Sequence, residues 1–222
     1  MAEARGIPFW SPEEVDAALT GTVAHLQDGG ILAYPTETVY GFGTMIDREA
    51  VDRLVSLKRR PPVKPFLLLI SDTSMLARLG LQVTRSASML VARHWPGPLT
   101  LVLPGGERRI PERLRGPEGG IAVRWTPHVG LQRLISALGD PITSTSANLP
   151  GQPPAIAAAE IASQWGNDVA NGTIRLLDGG RLPVSSASTV VDCTGRVPRV
   201  IRPGALPVST LRESVPDLIE DL

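Results

Sequence analysis

Four cations fall within seven residues at Lys58-Arg59-Arg60-Pro61-Pro62-Val63-Lys64. Such a cluster suits a solvated helix end, where cations complement the dipole, and it equally suits a phosphate site. The two prolines hold the chain extended where the cations fan out, so little ordering entropy remains to be lost when an anion binds. Lys58 and Arg60, two apart beside a helix stop, can converge on one anion from different directions. Lys58 and Lys64 are the only lysines in the chain, beside 20 arginines. Lysine is a compact point charge that suits a phosphate changing position during a reaction, whereas arginine clamps planar groups. A cation about 4 Å from a phosphate oxygen contributes about 4 kcal/mol at an effective dielectric of about 20, before desolvation is subtracted.

Three other segments carry polar groups that chemistry could use. Thr36-Glu37-Thr38 follows the apolar run Ile31–Tyr34 and puts small hydroxyls at the end of a strand, where open α/β sheets bind ligands. The same residues also serve as ordinary turn formers. Thr143-Ser144-Thr145-Ser146-Ala147-Asn148 reads as a denser Ser/Thr loop able to offer donors and acceptors to a ribose, a base edge or a phosphate. Arg124 ends the apolar strand Ile121-Ala122-Val123; its stem is expected to be buried, with a ligand carboxylate or a carboxylate side chain facing it.

Other chemistries lack their residues. Gly41-Phe42-Gly43 misses the third glycine of a dinucleotide fingerprint, and no P-loop occurs. One cysteine, Cys193, and three scattered histidines leave no protein metal site to expect. His94 and His128 read as helix-terminal or surface residues. Lys plus Arg and Asp plus Glu both number 22, so the formal net charge is zero and phosphate chemistry must rest on local charge. Aromatics are 4% and none is interleaved with the basic cluster, which speaks against a stacking platform for nucleic acid.

The elements that must position these residues follow α/β grammar. Ser11-Pro12-Glu13-Glu14 is a capping box opening a helix that Gly29-Gly30 ends. Helices are predicted near 47–59, 73–79, 84–94, 127–138 and 155–165, and strands over 31–34, 66–70, 99–103, 121–125, 174–177, 189–192 and 199–202. Several connections are too short for helical crossovers, so a mixed sheet is expected. Trp95-Pro96-Gly97-Pro98 reads as a rigid turn, 105–120 as a surface loop, and the tail after Pro207 as a polar end. The apolar runs are far short of the ~20 residues of a membrane span, and residues 1–10 carry no apolar signal core, so a cytoplasmic protein is expected.

In this order the segments resemble the YrdC family, the threonylcarbamoyl-AMP synthases, from about Gly29 to Ala205. The matching stretches are Tyr34-Pro35-Thr36-Glu37-Thr38-Val39-Tyr40-Gly41, Lys58-x-Arg60-Pro61 with Lys64-Pro65, Trp95-Pro96-Gly97-Pro98-Leu99-Thr100, Ala122-Val123-Arg124, Ser146-Ala147-Asn148, Ser188-Thr189-Val190-Val191-Asp192 and Ile201-Arg202-Pro203-Gly204. The resemblance implies an open, twisted mixed sheet flanked by helices, in a single domain (core about 11–206) with a concave basic site. It also implies a nucleotidyltransferase that condenses L-threonine, bicarbonate or carbon dioxide, and ATP to threonylcarbamoyl-AMP and pyrophosphate. The product would pass to a tRNA-modifying threonylcarbamoyl transferase, with at most a weak contact to tRNA itself and none to a membrane.

Carried over by position, Lys58 and Arg60 would be catalytic and bind the triphosphate with Lys64 beside them, and Ser146, Asn148 and Arg202 would complete the nucleotide site. Thr36, Arg124, Ser144 and Ser188 would hold threonine, Arg124 taking its carboxylate. Magnesium would arrive with ATP rather than in a protein cage. Two positions depart from the family pattern: Leu69 stands where many relatives carry a histidine near threonine, and Pro153-Pro154 where many carry a serine. Two other readings compete, a non-catalytic RNA-binding module of the same fold and a carbamoyl-transfer enzyme with another acceptor.

Overall fold

The computed structural model describes residues 6–59 and 66–220. Ile7–Pro8 forms a first short strand (β1). Ser11 then caps Pro12–Gln27 (α1) with the full reciprocal box: its hydroxyl accepts from the Glu14 N–H, and the Glu14 carboxylate accepts from the Ser11 N–H. Gly29, at φ 75, turns the chain out of the helix into Ile31–Tyr34 (β2), buried along its whole length. After the polar turn, Gly41–Gly43 (β3) runs back antiparallel to β2. Asp47 caps Arg48–Lys58 (α2), which ends on Arg59 in the left-handed conformation at φ 47, next to the cation cluster.

The chain continues through Leu67–Ile70 (β4), Ser74–Arg78 (α3), Arg85–His94 (α4), Leu99–Leu103 (β5), Ile121–Trp125 (β6), Val129–Leu138 (α5), Ile142–Ser146 (β7), Ala158–Ala170 (α6) and Ile174–Asp178 (β8). Thr189–Asp192 (β9), Arg199–Arg202 (β10), Val208–Ser214 (α7) and Ile219–Glu220 (β11) complete it. The strands form one mixed sheet in the order β1-β8-β2-β3-β7-β4-β6-β5-β9-β10-β11. Parallel pairs such as β4/β6 and β5/β9 alternate with antiparallel ones such as β3/β7 and β5/β6, as the short connections require. The apolar stripes of α1 and α5 pack on the sheet, and Phe9, Tyr34, Tyr40 and Phe42 are among its largest fully buried side chains. Among the described residues no helix is long and apolar enough to cross a membrane.

Three expectations are corrected. The 143–148 segment is no loop: residues 142–146 form β7, an inner strand of the sheet between β3 and β4. Its polar residues can be buried because the backbone satisfies them. Thr143 donates its hydroxyl to the Thr44 carbonyl (3.1 Å) and accepts from the Thr44 N–H (2.9 Å). The tail after Pro207 is not a polar end, since Leu211, Val215 and Leu218 are buried and β11 extends the sheet beside β10. The 105–120 segment is the surface loop expected, and it is pinned from within: the Arg115 side chain is buried and donates to the carbonyls of Gly105 and Gly119. The last predicted helix starts and ends later than expected, at Ala158 and Ala170, and breaks its helical geometry at Trp165, whose ring meets Phe42 edge-on.

Candidate functional site

A pocket of about 590 Å³ opens over the middle of the sheet, a volume ordinary for a small-molecule site. The turn after β2 contributes Thr36 to its wall, β6 contributes Arg124, and β7 contributes Ser144 and Ser146. Ser188, just before β9, and Arg202, at the end of β10, close the opposite side. Six residues proposed from the sequence, scattered over more than 160 positions, thus meet in one cavity because the strand order brings β6, β7, β9 and β10 side by side or nearly so.

Arg124 is only 4% exposed, and the carboxylate expected to face it is a side chain, Glu37, whose Oε1 lies 3.5 Å from its Nη2. The other Glu37 oxygen accepts from the Thr126 hydroxyl at 2.8 Å. The Arg124 Nε is buried without a hydrogen-bond partner among the described residues. Arg202 is compensated differently: it donates to the Ser188 carbonyl (2.7 Å) and to the Ser188 hydroxyl (3.1 Å), which also bonds Thr100 at 2.8 Å. Burial, and then the charge of Arg124, push the Arg202 guanidinium below its usual range, although an arginine stays cationic at neutral pH.

Thr36 lines the pocket while its hydroxyl closes the local turn, donating to the Val39 carbonyl at 2.7 Å and accepting from the Thr38 N–H at 3.1 Å. The turn-forming role and the wall position therefore coincide in one residue. Lys58 is 4% exposed and is not on the pocket wall. Its ammonium donates to the Ser146 carbonyl (2.5 Å), to the Asn148 side-chain oxygen (2.9 Å) and to the Asn148 carbonyl. The same Asn148 oxygen accepts from the Ser146 hydroxyl at 2.7 Å. Lysine 58 and the 146–148 segment, 88 residues apart, form one polar unit beside the pocket. Arg60 and Lys64, with the prolines between them, lie outside the described residues.

At the two departures, Pro154 is on the pocket wall, whereas Leu69 is fully buried and the β4 residue on the wall is Leu67. Sequence reasoning missed Glu37 as a functional side chain, although the demand for a carboxylate opposite Arg124 and the Thr-Glu-Thr turn were both in view. It also missed Thr100, Asp192 and the glycine-rich wall 116–120, for which no local pattern gave a signal.

Groups elsewhere are poorly suited to proton or covalent chemistry. Burial pushes the Cys193 thiol and the Tyr40 phenol each up to about 12, and the Tyr40 hydroxyl donates to the Gly180 carbonyl at 2.7 Å. His128 caps α5, its Nδ1 accepting from the Leu131 N–H. His94 ends α4 and its Nε2 pairs with the Ser214 hydroxyl. What remains is a pocket of fixed donors and two guanidiniums, that of Arg124 buried and that of Arg202 exposed, able to hold anions and to stabilise charge without a covalent step.

Comparison with known proteins places this architecture. The Sua5/YciO/YrdC family model, described as "Telomere recombination", matches residues 24–204. The threonylcarbamoyl-AMP synthase of Pyrococcus abyssi is 35% identical over 195 residues, which cover 87% of this chain and 56% of that protein. The enzyme of the same name from Chromohalobacter salexigens is 37% identical over 183 residues, 81% of this chain and 95% of the relative. The structure of P. abyssi Sua5 complexed with L-threonine superposes with a TM-score of 0.85 at 30% identity, covering 98% of this chain and 62% of that one. The chain thus spans just over half the length of the archaeal relative and nearly all of the bacterial one.

Proposed function

The chain belongs to the Sua5/YciO/YrdC family, and from that premise we propose that it is a threonylcarbamoyl-AMP synthase. In the proposed reaction the amine of L-threonine forms an N–C bond to carbon dioxide and loses a proton. An oxygen of the resulting carbamate then attacks the α-phosphorus of ATP, the bond to the β-phosphate bridge breaks, and pyrophosphate leaves. The protein has little covalent work to do; it must align two anions that repel each other and neutralise the charge that develops.

The observation that carries this reading is the convergence of two arginines, Arg124 buried and Arg202 at the open rim, with hydroxyls between them, on one pocket of nucleotide-compatible size. Arg124, with Thr36, Ser144 and Ser188, would hold threonine by its carboxylate and its hydroxyl. Arg202, Ser146 and Asn148 would hold the nucleotide. Lys58 would act through its charge and by holding the Ser146–Asn148 segment in place, and Arg60 and Lys64 would bind the triphosphate.

Magnesium would enter with ATP and offset phosphate charge. Among the described residues no group of three or more His, Cys, Asp or Glu could hold the ion, so phosphate oxygens and water would be its main ligands, with Asp192 the wall carboxylate on β9. The reading places the reaction in the cytoplasm, upstream of an enzyme that transfers the threonylcarbamoyl group to tRNA. The test is pyrophosphate release from ATP with bicarbonate, with and without L-threonine. Release that requires both threonine and bicarbonate supports the assignment; release indifferent to threonine, or none from folded protein, refutes it.

A further inference from the structure

We propose that Glu37, a residue off the pocket wall, sorts the two arginines of the pocket and reserves Arg124 for a zwitterionic amino acid against phosphate. The proposal deepens the reading above and rests on it for the identity of the amino acid. Glu37 does not line the pocket yet meets Arg124: its Oε1 sits 3.5 Å from Nη2 and makes no hydrogen bond among the described residues, while its Oε2 is fixed by the Thr126 hydroxyl, which in turn accepts from the His128 N–H. It therefore neutralises the guanidinium without consuming its donors, and the buried Nε stays unpartnered. Arg202, by contrast, has no carboxylate within ion-pair distance among the described residues and is held only by the carbonyl and hydroxyl of Ser188.

Charge bookkeeping then separates the ligands. The Arg124–Glu37 pair is neutral, and an amino-acid zwitterion adds no net charge to it. A phosphate dianion at the same place would add two negative charges beside a half-buried carboxylate, a juxtaposition that costs several-fold to many-fold in affinity. Arg202, uncompensated, imposes no such penalty. Glu37 is thus a positioning and specificity residue that acts through Arg124.

Inorganic phosphate is the probe. Its affinity is measured by calorimetry for the wild type, Glu37→Gln, Thr126→Val and the double variant E37Q/R124Q, and its competition with L-threonine is measured alongside. E37Q is expected to gain phosphate affinity by at least about tenfold, the gain is expected to vanish in E37Q/R124Q, and phosphate is expected to displace threonine from E37Q far better than from the wild type. T126V, which keeps the charge but frees the carboxylate, is expected to move the same way by less, and it keeps the test alive should E37Q fail to fold. Phosphate affinity at the wild-type level in both E37Q and T126V, or a gain that survives R124Q, overturns the proposal. A wild type that ignores threonine would instead count against the proposed function, while the phosphate comparison would still decide the role of Glu37.

Discussion

The β6 end of the pocket presents a buried arginine and its β10 end an exposed one, and the two are compensated in unlike ways. Arg124 has a carboxylate beside it and, among the described residues, an unpartnered Nε; Arg202 has a carbonyl and a hydroxyl. A guanidinium paired with a carboxylate is electrically near neutral before any ligand arrives, whereas one held by neutral dipoles keeps its full charge for the ligand. The difference teaches that two arginines of one cavity can carry unlike net charge: the frame, rather than the cations, sets how much charge each end has to offer.

The largest effects are expected from removing the two arginines one at a time. Arg124→Ala should raise the KM for threonine by roughly 10- to 100-fold, the worth of about 1.5–3 kcal/mol for hydrogen bonds to a charged group, and leave the KM for ATP little changed. Arg202→Ala should do the reverse, and a crossed result in steady-state kinetics would break the division of the pocket. Lys58→Ala should lower turnover by more than about tenfold, a barrier increase of at least ~1.4 kcal/mol. Because its ammonium holds the Ser146–Asn148 segment, the accompanying KM change should fall on ATP alone.

Perturbing the strand between the ends should favour neither. Thr143→Val strands the Thr44 N–H that the hydroxyl now satisfies and is expected to cost about 1–3 kcal/mol of stability by thermal or denaturant unfolding, with both KM values unmoved. The smallest effect concerns His128, whose N–H supports Thr126 behind Arg124. Burial holds its imidazole below the ordinary value of 6.5. The unfolded chain therefore takes up the proton first, so this contribution to stability is full above 6.5 and is lost as the pH falls below it. His128→Asn keeps a capping acceptor that does not titrate. Its Tm should drop less than that of the wild type between about pH 7 and pH 5, where the two unfolded-state protonations diverge.

Much of this was legible in the chain. The capping box at Ser11 and Glu14, the apolar runs of β5 and β6, and the bounds of β9 and β10 follow from local propensity and periodicity, and the structure places them where those signals stand. The buried stem of Arg124 was readable from its apolar neighbours, and with it the need for a carboxylate opposite. The misreading of 143–148 had a physical cause: hydroxyl-rich sequence normally signals a turn, and only pairing with the distant β3 and β4 makes 142–146 an inner strand. The tie between Lys58 and Asn148 and the approach of Glu37 to Arg124 are likewise long-range contacts with no local signature. The tail after Pro207 was misjudged because three apolar residues among polar ones look solvated until β10 offers an edge to cover.

The division of one pocket between an amino acid and a nucleotide is tested most directly by titrating L-threonine calorimetrically into the protein, alone and saturated with α,β-methylene-ATP, which cannot release pyrophosphate. Threonine should bind the saturated protein at least as tightly as the free one, each ligand occupying its own arginine. Expulsion of threonine by the analogue would mean that both compete for the same end and would contradict the account.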